Sequence, residues 1–277
     1  MNILKLIWKS SLSDLYTYIR SNNIFGSFEK KLEVIDIGNT EDGIRIYTLK
    51  SSHEYKSIRS GKYESFLIEY IRKLNIGKDK VIIWDLGAHV GYVSILLGNI
   101  FKSQGTIVSF EPNPNNVSNF TRNLELNPQL NNIILEHTAV GGDVGEMVFN
   151  LSRSKNNPTT MGGYISTALP PLEKVQYSRM GFYSTIVPCT TIDNYISMHP
   201  DLRPDIIKID VEGAELEVLE GGLDFLTIYK PILILEIHHI VLLYKIMKIL
   251  KKMGYVTEIL NHESASPSVC TIAANRL

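Results

Sequence analysis

Short continuous apolar runs alternate with segments whose apolar positions recur at helical spacing. The runs in "KVIIWDLG", "GTIVSFEPN", "NIILEHTAV", "DIIKIDV" and "PILILEIHH" read as buried strands. The segments "YESFLIEYIRKLNIG", "VGYVSILLGNIF", "PNNVSNFTRNLELN", "EGAELEVLEGGLDFL" and "VLLYKIMKILKKMG" read as the helices before and between them. Pro114 suits a first helical turn, and Pro128 lies beyond the end of that helix. "GEMVFNL" reads as a short extended, antiparallel piece, and "TIVPCTTIDNYI" as a strand running into a short helix. "YVTEIL" and "SVCTIAAN" suit a terminal hairpin. The alternation predicts an α/β fold: a doubly wound, mostly parallel sheet with a C-terminal antiparallel hairpin.

The pattern fails in two places. Residues 152–184 form a long irregular insert, of the kind that is usually functional or mobile. Its aromatic residues Tyr164, Tyr177, Phe182 and Tyr183 are available to close over a substrate. The first sixty residues carry an amphipathic stretch with Ile3, Leu4, Ile7, Leu15 and Ile19 as candidate buried positions. Lys5 and Lys9 interrupt it, so it reads neither as a membrane span nor as a signal peptide. The chain therefore divides into an N-terminal accessory region, 1–60, and one large domain, 61–277. Lys5, Lys9, Arg20, Lys30 and Lys31 leave room for weak contact with a membrane surface.

Composition narrows the classes. A net charge of -1 gives no reason to expect nucleic acid as a partner. The two cysteines, Cys189 and Cys270, are far apart and read as free thiols of a reducing compartment, which points to the cytoplasm.

In a doubly wound sheet, ligands bind beyond the carboxyl ends of the strands. Asp85, Glu111, Asp210 and the pair Glu236 and His238 all fall at expected strand ends. After Asp85 the chain reads "GAHVG". A dinucleotide fingerprint needs a glycine where His89 stands, so a close approach of pyrophosphate is disfavoured, and no phosphate-binding G-K-[ST] follows. Glu111 follows Gly91 at about the 20-residue interval of a ribose-binding carboxylate. A ligand with a ribose and no phosphate fits, and S-adenosylmethionine is such a ligand. Asp85 or a backbone carbonyl would face its amino group, and N–H groups near the helix start its carboxylate.

The ordered set "YESFLIEYIRKLNIGKDKVIIWDLGAHVGYVSI", "VSFEPNP", "LEHTAVGGDVGE" and "VPCTTIDNYI…PDIIKIDVEGAELEVLEGG" resembles the FkbM-type S-adenosylmethionine-dependent methyltransferases, over roughly residues 61–240. The resemblance implies a Rossmann-like class I methyltransferase fold and, commonly, O-methylation of a sugar or polyketide-type hydroxyl. It implies cofactor contacts at Asp85, Gly87, Ala88, His89, Gly91, Glu111, Asn113 and Ala139. The family usually has Asn where this chain has His89.

Methyl transfer needs the nucleophile, carbon and sulfur held in line, and a hydroxyl acceptor must lose its proton. Asp210, Glu212 and His238 are the candidate catalytic residues. Asp210, Glu236 and His238, with Glu212 beside them, also offer mixed oxygen and nitrogen ligands for a divalent ion. The sequence does not separate a metal from metal-free general-base catalysis. Nor does it exclude N- or C-methylation, or a non-catalytic protein that keeps the cofactor fold. The expected acceptor is a small molecule or glycan.

Overall fold

The computed structural model describes residues 32–37, 43–49, 55–60, 63–74, 76–151, 164–165, 183–238, 240–261 and 270–276. The expected N-terminal amphipathic segment and most of the 152–184 insert lie outside the described residues.

The strands are β1 (Leu32–Ile37), β2 (Ile44–Leu49), β3 (Val81–Leu86), β4 (Gly105–Phe110), β5 (Ile133–Glu136), β6 (Ala139–Val140), β7 (Gly145–Leu151), β8 (Tyr164–Ile165), β9 (Tyr183–Thr190), β10 (Ile206–Ile209), β11 (Ile232–Ile237), β12 (Tyr255–Asn261) and β13 (Cys270–Arg276). The helices are α1 (Tyr55–Arg59), α2 (Ser65–Lys73), α3 (Tyr92–Phe101), α4 (Pro114–Glu125), α5 (Ile192–Met198), α6 (Glu215–Glu220), α7 (Leu223–Tyr229) and α8 (Ile240–Lys252). The main sheet runs in the order β12-β13-β11-β10-β3-β4-β5. β5, β4, β3, β10 and β11 are parallel, and β13 is antiparallel to both of its neighbours. The doubly wound sheet and its C-terminal hairpin are thus both present. The chain winds outward from β3 through β4 to β5, then restarts on the other side at β10. The gap between β3 and β10 is the switch point where such sheets bind ligands.

Side chains alternate between the faces of each strand. Trp84, Leu86, Ile207, Ile209, Leu233 and Leu235 enter one apolar cluster with residues of α5, α6, α7 and α8. Ile83, Ile107, Ile206 and Ile234 enter the other, under α2 and α3. Ile44 and Ile46 of β2 complete that second cluster, although they precede the expected domain start. Two asparagines, Asn123 in α4 and Asn127 just beyond its end, fasten β2: Asn127 Oδ1 accepts from Arg45 N at 2.8 Å and Asn123 Oδ1 from Tyr47 N at 2.6 Å.

Two expected elements are divided. "NIILEHTAV" splits into β5, in the main sheet, and β6, which pairs with β9 in a second sheet of order β6-β9-β7-β8. "EGAELEVLEGGLDFL" breaks at Gly221 and Gly222 into α6 and α7. Gly221 packs so closely that a Cβ there would lie 2.1 Å from the Gly141 carbonyl oxygen. Asp193 then starts α7 afresh by accepting from Phe225 N at 2.9 Å and Asp224 N at 3.2 Å. No helix among the described residues is long and apolar enough to cross a membrane.

Candidate active site

Strand register brings distant polar residues into one row. β4 sets Ser109 beside Asp85, and β3 sets Asp85 beside Lys208. One residue past β10, the same register sets Asp210 beside Gly87 on one side and Glu236 on the other. Period-2 alternation puts Asp85, Lys208, Asp210, Glu236 and His238 on the face that carries Ile83, Ile206 and Ile234 deeper in the sheet. The apolar cluster therefore gives way to charge at the carboxyl ends of the strands.

The switch point itself is made by a glycine. Gly87 has φ 80°, and a Cβ on it would fall 1.8 Å from the Asp210 carbonyl oxygen. Any side chain there would force β3 and β10 apart.

Asp85 is wholly buried. Its Oδ2 accepts from Ser94 Oγ at 2.6 Å, and Ser94 Oγ accepts from Ser109 Oγ at 2.9 Å. Its Oδ1 accepts no hydrogen bond among the described residues and faces Lys208 Nζ at 3.2 Å as an ion pair. The same ammonium donates to Asp210 Oδ2 at 3.2 Å. Burial works against the charge of Lys208, but the carboxylates of Asp210, Asp85, Glu64 and Glu236 more than offset it and hold its pKa well above the ordinary value. Burial likewise opposes the charge of Asp210. Lys208 and His238 prevail and keep its pKa below the usual one. Asp210 is therefore ionised at neutral pH.

His238 lies in the centre of a carboxylate ring. Its Nδ1 is 2.8 Å from Glu215 Oε1. Its Nε2 faces Glu212 Oε2 at 3.5 Å, Asp210 Oδ1 at 3.7 Å and Glu236 Oε1 at 3.8 Å. Burial penalises the imidazolium, yet the Glu215 hydrogen bond and the surrounding carboxylates push its pKa up to about 10. Burial, with the charges of Asp210 and Glu64, pushes Glu236 up to about 8. Asp210, Glu236 and His238 each offer one ligand atom, and these atoms lie within 4.8 Å of one another. They are the three residues expected from the sequence to be able to hold a metal, and their donor set suits a divalent ion. Glu212 stands at the rim, its side chain half exposed, with a left-handed φ of 52°.

On the other side of the switch point, Gly87 N and Ala88 N both donate to Phe110 O at 3.0 Å, which draws the turn after β3 toward the end of β4. Glu111 follows there, almost fully buried. Its Oε2 accepts from His89 N at 2.8 Å, and its Oε1 from Asn113 N at 2.9 Å and Asn116 Nδ2 at 3.2 Å. Burial pushes its pKa up to about 7 against these donors. Each carboxylate oxygen has two acceptor sites, so the group retains capacity for a ligand hydroxyl. His89 is left-handed at φ 53°, a conformation that Asn and His tolerate better than most residues. Its contact to Glu111 runs through the backbone, so it does not depend on the side chain that replaces the family's usual Asn. Gly91, also left-handed, packs against the Phe120 ring and starts α3 without a side-chain cap. Ala139 is buried in β6, packed with Phe149, Val187 and Cys189.

Glu111→Ala is expected to weaken cofactor binding by about 1.5–3 kcal/mol, the range for lost hydrogen bonds to a charged group. Calorimetry on the folded variant checks this, and an unchanged affinity removes Glu111 from the site.

Two acidic residues that sequence reading passed over belong to this cluster. Glu215 lies in the expected helix "EGAELEVLEGGLDFL" and opens α6. Glu64 looked like part of an amphipathic helix, but it precedes α2 with φ 54° and its carboxyl feels Lys208, Asp210 and Asp85. Burial pushes it up to about 7. No period in the sequence marks either residue: Glu64 is itself left-handed, and Glu215 opens α6 just after the left-handed Glu212 and Gly213.

The profile described as the methyltransferase FkbM domain matches residues 85–257. The hexuronic acid methyltransferase AglP of Haloferax volcanii is 26% identical over 213 residues, covering 77% of this chain and 78% of that one. Methyltransferase 1 of Beauveria bassiana is 24% identical over 150 residues, 52% of this chain and 59% of its own. Among solved structures, a methyltransferase FkbM from Methylobacillus flagellatus aligns with a TM-score of 0.48 at 18% identity, over 71% of this chain. This chain spans 44% of that one.

Proposed function

The chain belongs to the FkbM methyltransferase family, and from that premise we propose that it transfers a methyl group from S-adenosylmethionine to a hydroxyl of a sugar, with a hexuronic acid or another glycan unit as the acceptor. The observation that carries the cofactor half of this reading is charge. Glu64, Asp85, Asp210, Glu212, Glu215 and Glu236 gather about Lys208 and His238 at the switch point. Carboxylates outnumber cations there, as suits a positively charged ligand. Glu111 stands one strand away with acceptor capacity for ribose hydroxyls. The relative named for hexuronic acid, matched over most of both chains, supports a sugar acceptor.

S-adenosylmethionine supplies an electrophilic methyl group on a positively charged sulfur, which leaves with the bonding pair. The protein's own task is to hold the acceptor in line and remove its proton. Asp210 is ionised and faces the cations that hold it, so it orients the hydroxyl by accepting its hydrogen bond. The proton released as the carbon–oxygen bond forms passes into the carboxylate set of Asp210, Glu236 and Glu212. His238, already protonated, steadies that set by its charge.

S-adenosylhomocysteine lacks the sulfonium methyl and its charge, so the pair of ligands isolates the electrostatic term. Glu64 and Glu236 have pKa values raised to about 7 and about 8, so both lose protons as pH rises from 6 to 8. Negative charge grows over that window, and a cationic ligand gains. The preference for S-adenosylmethionine over S-adenosylhomocysteine is expected to rise roughly 3- to 10-fold between pH 6 and 8, less than the full effect of a unit pKa change per group. Calorimetry at both pH values checks this. A flat or falling ratio contradicts the charge argument, and labelled-methyl transfer to a panel of uronic acids and neutral sugars tests the acceptor.

A second reading, that a divalent ion activates the hydroxyl, is favoured by the spacing of Asp210, Glu236 and His238. On that reading a chelator abolishes turnover and added magnesium or manganese restores it.

A further inference from the structure

We propose that Glu215 is a positioning residue: it anchors the protonated Nδ1 of His238 and holds the ring in one orientation, with Nε2 presented to the methyl acceptor. The proposal rests on the transferase reading for its kinetic consequence, though not for the ring's orientation itself.

Glu215 is the first residue of α6, and it is wholly buried. A carboxylate in that position is costly unless hydrogen bonded. Its Oε1 takes two partners, Gly213 N at 2.9 Å and His238 Nδ1 at 2.8 Å. A carboxylate only accepts, so the proton between Glu215 and the ring belongs to Nδ1. The turn before α6 makes this possible: Glu212 and Gly213 are both left-handed, at φ 52° and 99°, and the Gly213 N–H donates to the carboxylate from behind.

With Nδ1 anchored, Nε2 must face the other way. It looks toward Glu212, Asp210 and Glu236 at 3.5, 3.7 and 3.8 Å, and none of these is at ordinary hydrogen-bond distance. Glu215 is the side chain that fixes the ring, and the other three line the space in front of Nε2. That space lies at the carboxyl ends of β10 and β11, beside Asp210, where the acceptor oxygen has to come. A plain structural role, an acid complementing the start of a helix, would leave the ring free to turn.

The test uses the full chain. Proton–nitrogen correlation spectra of the ¹⁵N-histidine-labelled protein, with the His238 signal identified by its loss in His238→Gln, report which ring nitrogens carry protons. The expected result is a protonated Nδ1 both with and without S-adenosylhomocysteine. Glu215→Gln keeps an acceptor oxygen for both donors without the charge, whereas Glu215→Leu removes the acceptor. Glu215→Leu is expected to lower kcat about 10- to 100-fold, with acceptor KM and cofactor Kd within about threefold, and Glu215→Gln to recover most of the loss. An unprotonated Nδ1 in the wild type overturns the proposal. So does wild-type kcat in Glu215→Leu, or an equal loss in both variants. If Glu215→Leu does not fold, the wild-type spectrum and the Glu215→Gln kinetics still decide. Absence of turnover with every hydroxyl acceptor would refute the transferase reading and leave the spectrum to judge Glu215.

Discussion

Asp210→Asn is expected to lower turnover by about 100- to 10,000-fold, the usual range for loss of a group that handles the reacting proton. Cofactor affinity is expected to change by much less. The reason is position. Asp210 closes the strand beside the glycine turn, and its backbone carbonyl is the atom that Gly87 must accommodate. Its side chain lies on the same face as Asp85 and Glu236, between the Lys208 ammonium and the His238 ring. Asn keeps the size and the backbone fit. It loses the charge that the two cations hold in place, and with it the ability to accept a hydroxyl proton. Single-turnover kinetics with cofactor Kd measured separately checks the split. A variant that turns over at the wild-type rate would move the reaction centre away from Asp210.

Lys208→Met is expected to destabilise the fold by about 3–5 kcal/mol, the cost of removing one partner from a buried ion pair. Lys208 stands between two carboxylates at 3.2 Å each, and Asp85 Oδ1 accepts no hydrogen bond among the described residues. Met fills most of the same space, so the loss is electrostatic. The pH dependence gives a sign. In the wild type the lowered Asp210 pKa contributes stability that is present above the unfolded value of 3.8 and lost as pH falls through the folded one. Without Lys208 the Asp210 carboxylate becomes harder to ionise, and the deficit is largest where it is forced to carry charge. The gap between variant and wild type is therefore expected to narrow as pH falls toward 4. Adding Asp85→Asn is expected to recover part of it. Chemical denaturation at two pH values decides the matter, and a constant gap would mean that packing of the lysine stem dominates.

Much of the framework was legible along the chain. Apolar runs and helical periods identified the strands and helices of the main sheet, because burial on both faces leaves a strong local signature in parallel strands. The break of "EGAELEVLEGGLDFL" into two helices was not legible. It depends on the close approach of Gly221 to Gly141 and on capping by Asp193, contacts between segments far apart in sequence. β2 went unseen although Ile44 and Ile46 alternate with Arg45: the strand is short, and it is held by Asn123 of α4 and by Asn127 just beyond that helix, far away in sequence.

The candidate site divides in the same way. The sequence alone determined that Asp85, Glu111, Asp210, Glu236 and His238 end strands, and the alternation of strands and helices put those ends on one edge of a sheet. Tertiary structure decided how they are charged and which neighbours they share. Strand register paired Lys208 with Asp85, and only the folded row shows that a single buried lysine serves two carboxylates. Left-handed turns delivered Glu64 and Glu215, and a turn of that kind is set by what it packs against. Periodicity is a local property that repeats along the chain and can be read from it. Ionisation and hydrogen-bond partnership depend on distances of a few ångströms between residues far apart in sequence, which only the closed fold defines.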